Sequence, residues 1–366
     1  MQIKSVIKEL EGIAPTHLQE SYDNSGLLTG SAEWDCSGIL LTLDITENTI
    51  EEAKQKGCNL VIAHHPIIFK GLKKITHTGD YVERALIKAI KSDVALYAIH
   101  TNLDNVLHGV NKMIADRLAL SDRKVLAPKD NLLKKLVFFV PPAHAEVVRK
   151  AIFDAGGGRL GNYAECSFNQ SGTGTFMPLE GAQPFSGTMN ERSSEPEERI
   201  EIQYPAWLEG AVIQAMKASH PYEEVAYDLI PVTNLANQYG SGLIGVLPEP
   251  LPEHEFLSLL KASFSLKIIR HSPLTGKKIQ KVAVCGGAGS FLTKFALRGN
   301  ADAYVTADLK YHEFFDADNR LLLADIGHWE SEQFTSELLF KHLIEKFPTF
   351  AVLKSGENTN PVHYFL

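Results

Sequence analysis

Cysteine is scarce and scattered: Cys36, Cys58, Cys166 and Cys285 are the four in 366 residues, and no C-x-x-C occurs. Neither a thiolate zinc site nor a disulfide framework is legible. Long apolar runs are missing too, and nothing approaches the roughly 18 residues of a membrane span. The opening MQIKSVIKELEGIAP reads as a short amphipathic helix broken by Pro15, without the apolar core of a signal peptide. Positive charge is not in excess. The 36 Lys and Arg against 44 Asp and Glu leave a formal net charge of −8, which gives no whole-molecule attraction for nucleic acid or anionic lipid. The aromatic residues are scattered and form no base-stacking platform. With 27 Gly, 17 Pro and 22 % charged residues, the composition excludes collagen-like, coiled-coil and wholly disordered chains. What remains is a cytoplasmic enzyme or binding protein long enough for two or three domains.

From 37 to 125, short apolar runs alternate with helical segments. SGILLTLDIT reads as a strand, and ITENTIEEAKQKG as a helix with a Thr cap, early acids and a terminal Gly. NLVIAHHP (strand), YVERALIKAIKS (helix) and DVALYAIHTNLD (strand) follow. This rhythm indicates a largely buried α/β sheet, where ligands gather at the carboxyl ends of the strands. The last third repeats it, with KKIQKVAVCGGAGS, ADAYVTADLKYHEF and RLLLADIGHWESEQFTSELLFKHLIEK each a strand running into a loop or helix. Strand ends near Asp44, His64 and His100 are 20 and 36 residues apart, and those near Cys285, Thr306 and His328 are 21 and 22 apart. Two similar α/β halves are one reading; the ordinary repetition of any α/β chain is the other.

The middle has a different texture. LLKKLVFFVPPAHAEVVRKAIFDAGG is strand, turn and helix, and YAECSFNQSGTGTFMPL reads as strands separated by a turn. GAQPFSGTMNERSSEPEE is poor in apolar residues and reads as a solvated loop. RIEIQYPAWLEGAVIQAMKASH and VAYDLIPV supply strand, helix and strand. Strand–helix–strand–strand–helix–strand is the ferredoxin-like α+β plan. The expectation is one α/β core of 1–129 and 235–366 with an inserted domain at 130–234.

Of the 14 histidines, His64 and His65 in VIAHHP and His100 in IHTNLD lie at the mouths of core strands, and His328 follows LLLADIG at a helix start. Neighbours on a strand point to opposite faces. That alternation lapses where Pro66 breaks the pairing, and two adjacent imidazoles can then reach two ions about 3.5–4 Å apart. Alone, His-His-Pro is an ordinary turn. His328 and Glu332 in GHWESE are four residues apart in a first helical turn and present an imidazole and a carboxylate to one point. Asp104 adds a carboxylate from another strand end. Imidazole and carboxylate without thiolate suit Zn, Fe, Mn, Co or Ni rather than a structural zinc finger.

Taken in order, SYDNSGLLTG, VIAHHP, IHTNLD, TADLKYH and GHWESE resemble the Nif-three-like dinuclear metal-centre family, also called GTP cyclohydrolase 1 type 2 homologues. The middle region, with HPYEEVAYD, is similar to the PII/CutA-like insertion of a longer bacterial subgroup. The resemblance implies His64, His65, Asp104, His328 and Glu332 as ligands shared by two divalent transition-metal ions. It also implies a toroidal homohexamer with the sites facing an internal cavity. Tyr22-Asp23-Asn24 departs from the family's usual Trp-Asp-Asn, and Ala307 stands where Gly is usual.

Other residues admit a functional and a bland reading. His100 is a ligand, an outer donor or a base, and the resemblance favours an outer role. Asp308 and His312 in TADLKYHEF are candidates for proton transfer, or else a helix cap and a surface histidine. CGGAGS can bring backbone N–H groups to an anion, but it lacks the Walker ending and G-x-G-x-x-G spacing, so a tight turn is the simpler reading. Arg159 in GGGRLGNY reads as part of a flexible hairpin. His220 with Glu223 and Glu224 is either a second metal group or a structural turn. The leading function is a metal-dependent hydrolase on a small molecule, and the resemblance points to GTP and opening of its imidazole ring. The same residues would serve a metallophosphatase. The alternative of another class is a regulatory or interaction protein with a structural metal centre.

Overall fold

The structure, a computed structural model, describes residues 1–365. The chain divides into two compact units, Met1–Pro128 with Asn237–Leu366, and Lys129–Ala236.

The first unit contains two sheets. In one, Ile39–Thr42, Leu60–Ala63 and Ala95–Ala98 pair in parallel, and every residue of all three is buried. That is why these runs are apolar throughout rather than alternating. Gly26–Thr29 adds antiparallel at one edge, and Val352–Lys354 adds parallel at the other. The connecting helices Glu47–Gln55 and Tyr81–Lys91 are started by Thr46 and Asp80, whose side chains accept from the backbone N–H of Thr49 and Glu83.

The second sheet runs Arg270–His271, Leu322–Asp325, Ala303–Ala307, Lys278–Ala288, Ala236–Pro252, Ser121–Lys129. Its three central strands are parallel. Alternate residues of one strand serve opposite faces. Val282 and Val284 pack with Phe256, Leu260 and Phe264, while Ala283 and Cys285 pack with Leu292, Tyr304 and Leu323.

The second unit is an antiparallel sheet ordered Phe168–Phe176, Ser193–Pro205, Leu133–Val140, Tyr227–Val232. Helices Ala145–Asp154 and Glu209–Ser219 bury Val148, Ile152, Val212 and Met216 with Leu136, Phe138, Ile200 and Ile202 of the sheet. Two expectations are corrected here. SSEPEE is not loop but the start of a strand, and Phe168–Phe176 is one continuous strand rather than two. The two strands pair from Phe168↔Glu201 to Phe176↔Ser193, so cross-strand pairing, invisible to composition, holds Ser193–Glu198 extended. Among the described residues, no helix is long and apolar enough to cross a membrane.

Candidate metal centre

The strand ends of the first unit carry the cluster. His64 and His65 follow Leu60–Ala63 directly, and their N–H groups still donate to the carbonyls of Thr42 and Leu43. Asp104 closes a short helix, Thr101–Asp104, rather than ending a strand. His328 and Glu332 begin and end the helix His328–Glu332. Their ligating atoms form three groups, His65–His328–Glu332, His64–Asp104–Glu332 and His64–His65–His100, each with its atoms within 4.8 Å of one another. Glu332 belongs to two groups and is 3 % exposed.

Each imidazole is held from behind. His64 Nδ1 lies 2.9 Å from the Ile99 carbonyl oxygen. His65 Nδ1 is 2.7 Å from Asp44 Oδ1, His328 Nδ1 is 2.7 Å from Asp308 Oδ2, and His100 Nδ1 is 2.7 Å from Asp23 Oδ1. Those oxygens only accept, so Nδ1 carries the proton and the Nε2 lone pair is left for the other side of the ring. There acceptors face acceptors. His65 Nε2 lies 3.2 Å from His328 Nε2, and both lie 3.0–3.1 Å from Glu332 Oε2. His64 Nε2 is 3.7 Å from Asp104 Oδ1 and from Glu332 Oε1. Both His64 Nε2 and Asp104 Oδ1 are buried with no hydrogen-bond partner. Such orphaned groups cost about 1–3 kcal/mol each, and a shared cation removes the conflict. The donor set, imidazole and carboxylate without thiolate, fits a divalent transition ion.

Where no cation sits between these groups, the carboxylates favour a second proton on the imidazoles instead, the same pull toward positive charge. Burial disfavours an imidazolium at His65, yet Asp44 and Glu332 raise its pKa to about 9. At His328 the charge of Glu332 and the bond to Asp308 outweigh burial and raise it to about 11. Burial, then the Glu332 charge, pushes Asp104 up to about 7. Glu332 goes the other way: burial opposes ionisation, but the charge of His328 holds it well below the carboxylate range.

The glycines of CGGAGS let a strand pass against this cluster. A Cβ at Gly287, where φ is +62°, would stand 2.4 Å from Glu332 Oε1 and 3.3 Å from His328 Cε1. The Gly286 N–H donates to Asn111 Oδ1 at 3.0 Å and the Gly287 N–H to Ser331 Oγ at 2.9 Å. The loop is a close-packing device and not a cradle for an anion.

A cavity of about 750 Å³ opens on the cluster and is lined by His65, His100, Asp104, Asp308, His328 and Glu332, among others. His312 stays outside it. Its ring lies against Tyr311 and Phe315, with centroids at 5.1 and 6.3 Å, on the turn Tyr311–Ala317. Asp308 thus stands on the cavity wall and His312, four residues on, does not. Sequence reasoning also missed contributors. Asp23 accepts from His100, from the Thr101 N–H and from the Thr101 hydroxyl. Residues 359–364 form a further wall: Trp329 Nε1 donates to Thr359 Oγ1 at 3.2 Å, and Thr359 donates to Asp44 Oδ2 at 2.6 Å. Asn360 and Tyr364 both reach Glu330 Oε1. Asp44, two residues past a strand end as His65 is, was findable by position; the tail carried no signal.

Compared with known proteins, residues 1–361 match the family model described as Duf34/NIF3 (NGG1p interacting factor 3). The chain is 41 % identical over 363 residues to a "GTP cyclohydrolase 1 type 2 homolog" of Halalkalibacterium halodurans, covering 98 % of this chain and 97 % of that protein. It is 40 % identical over 328 residues to the protein of the same name from Bacillus subtilis, covering 89 % and 88 %. Among solved structures, a Bacillus cereus protein related to NIF3 shares 38 % identity with a TM-score of 0.87, covering 100 % of this chain and 99 % of that one.

Proposed function

This chain belongs to the Duf34/NIF3 family, and from that premise we propose that it is a dinuclear metal-dependent hydrolase acting on a small-molecule, nucleotide-type substrate. One observation carries the reading: the partnerless His64 Nε2 and Asp104 Oδ1, buried beside Glu332 at a cavity wall. In this reading His64, Asp104 and Glu332 hold one ion and His65, His328 and Glu332 the other, with Glu332 common to both.

Divalent ions bound there supply Lewis acidity, lowering the pKa of water toward neutrality and polarising the group attacked. Asp44 and Asp308 fix the tautomer and ring angle of His65 and His328, so that the ligand nitrogens need no reorganisation. His100, oriented by Asp23, lies on the cavity wall, and its remaining Nε2 lone pair suits it to take a proton as a general base. The relatives' name points to GTP and to opening of its imidazole ring, a reaction that needs activated water and an acid for the leaving nitrogen. The order and antiparallel pairing of Lys129–Ala236 support its reading as an inserted ferredoxin-like domain of the PII/CutA kind. The strands bounding it, Ser121–Lys129 and Ala236–Pro252, are neighbours in one sheet, so deleting 130–234 should leave a soluble, metal-binding core.

The decisive experiment is metal content by mass spectrometry on untagged, chelator-free protein, beside Glu332→Gln. About two transition ions per chain are expected, with occupancy lost in the variant and its circular dichroism spectrum retained. The loaded protein should then open the purine ring of a nucleotide, read as a change in ultraviolet absorbance. No bound metal after reconstitution overturns the reading.

A further inference from the structure

We infer that Arg270 is the phosphate anchor of the metal-site cavity, gripping the charged end of a nucleotide whose remainder reaches the metal cluster. The inference rests on the nucleotide reading of that site and adds to it the residue that holds the phosphate. Scarcity, geometry and placement carry it.

A phosphate is held by cationic side chains, by free backbone N–H groups or by metal ions. Among the described residues that line the cavity, Arg270 is the one Lys or Arg side chain. The glycine loop offers no alternative, since the Gly286 and Gly287 N–H groups are taken by Asn111 and Ser331. Carboxylates such as Asp308 and Glu330 stand on the same wall and repel an anion. That leaves the guanidinium and the ions of the cluster as the places where a phosphate is held.

The guanidinium is fixed through one nitrogen and open at the others. Nη2 lies 3.2 Å from Asp325 Oδ2 and also donates to the Leu309 carbonyl. The Phe314 ring centre is 5.3 Å from the guanidinium carbon and restrains it further. Among the described residues, no acceptor pairs with the Nε–H or with either Nη1 hydrogen, and the side chain is 54 % exposed. Three of the five donors of an arginine are therefore available to phosphate oxygens.

Placement comes from Asp325, which is 7 % exposed. Its strand pairs with that of Arg270, residue opposite residue. Besides the guanidinium, its carboxylate accepts from the Leu309 N–H at 3.0 Å and from the Gly327 N–H at 3.1 Å. Leu309 follows Asp308, which orients the His328 ring, and Gly327 precedes His328 itself. One buried carboxylate thus ties the anchor to both segments that set His328, so the two ends of the site are held in register before a nucleotide enters.

Full-length, metal-loaded protein is titrated calorimetrically with GTP and with guanosine, wild type beside Arg270→Gln, with metal content and ultraviolet absorbance checked after each titration. Loss of the charge-assisted bonds of one guanidinium should weaken GTP about 10–100-fold and leave guanosine unchanged. Arg270→Lys, which keeps the charge without the planar set of donors, should recover part of that loss. Unchanged GTP affinity in Arg270→Gln overturns the inference, and so does a wild-type protein that binds no GTP. Equal weakening of GTP and guanosine with metal retained also overturns it, because Arg270 would then be a structural partner of Asp325 alone. A wild-type measurement covers the case of a variant that folds poorly. With arginine labelled by nitrogen-15, the Nε–H resonance absent from Arg270→Lys should shift on adding GTP and stay in place with guanosine; a resonance indifferent to GTP sinks the proposal. The hydrolase reading fails separately. Selective loss of GTP in Arg270→Gln with no ring opening by the wild type keeps the anchor and removes the catalysis, whereas ring opening with normal GTP affinity in the variant does the reverse.

Discussion

Two buried histidines, one in each unit, show what distinguishes a candidate ligand from a structural residue. His220 uses both ring nitrogens within its own fold. Nε2 is 2.9 Å from the Phe139 carbonyl, and Nδ1 accepts from the Tyr222 N–H at 3.1 Å. The neighbouring Glu223 accepts from the Gln183 N–H instead of turning to the imidazole. His64 uses only Nδ1, and its Nε2 faces two carboxylate oxygens with no hydrogen to share. Both residues had been open as metal ligands in the sequence, each beside acidic residues or another histidine. Burial does not separate them. What separates them is whether the last lone pair is satisfied within the fold.

The sharpest way to break this contrast is Glu332→Gln. The change keeps volume but removes the charge shared by the two groups, so metal affinity should fall by more than about 100-fold, measured by equilibrium dialysis and mass spectrometry. Full occupancy in that variant would remove Glu332 from the ligand set. Metal removal by a chelator should then lower the thermal stability of the Met1–Pro128/Asn237–Leu366 unit, by about 4 kcal/mol at a thousandfold excess over Kd. Hydrogen exchange read peptide by peptide should show the loss there and leave 129–236 protected; equal loss in both units would contradict it.

Asp44→Asn should act more gently, because it loosens the tautomer of His65 without removing a ligand. A loss of about 10–100-fold in metal affinity is expected, with the Thr359 contact weakened as well. His220→Ala should leave metal content untouched and cost about 1–3 kcal/mol of stability through the orphaned Phe139 carbonyl and Tyr222 N–H. Any metal loss in that variant would mean that the distinction between the two histidines is wrong.

The smallest effect expected is a pH dependence. Burial lowers the pKa of His220, against the pull of the Phe139 carbonyl, so the unfolded chain takes up this proton more readily than the folded one. The associated stability is present above the ordinary histidine range, about 6.5, and is lost as pH falls toward the depressed folded value. Exchange protection around Tyr222 should therefore decline between about pH 7 and about pH 5. His220→Ala should lack this component of the slope.

The difference between the units also explains what the sequence made legible. In the unit that carries the histidine and carboxylate cluster, the three central strands of the first sheet are fully buried, so ILLT, LVIA and ALYA announce themselves as apolar runs, and the residues just beyond them lie where ligands gather. His64, His65, His328 and Glu332 were readable from that position and from helical spacing. In Lys129–Ala236 the strand Phe168–Phe176 is mostly exposed, and its partner begins with the polar SSEPEE. Hydropathy has no signal where backbone pairing does the holding. His312 lies four positions beyond Asp308, but on the turn Tyr311–Ala317 and beside Tyr311 and Phe315 rather than on the cavity wall.

By itself, then, the sequence determined the local elements and the chemistry available at their ends: caps at Thr46 and Asp80, buried parallel strands, and imidazoles and carboxylates without thiolates. Those are properties of short windows, set by periodicity and side-chain type. Only the tertiary structure decided which of those groups meet. His65 and Glu332 are 267 residues apart in the chain and 3.0 Å apart in space, and Thr359 reaches Asp44 across 315 residues. Tertiary structure likewise decided which nitrogen of each histidine keeps a free lone pair, because that depends on the acceptor behind the ring. A carbonyl from Ile99 and a carboxylate from Asp308 reach those rings from other elements, where no local pattern records them.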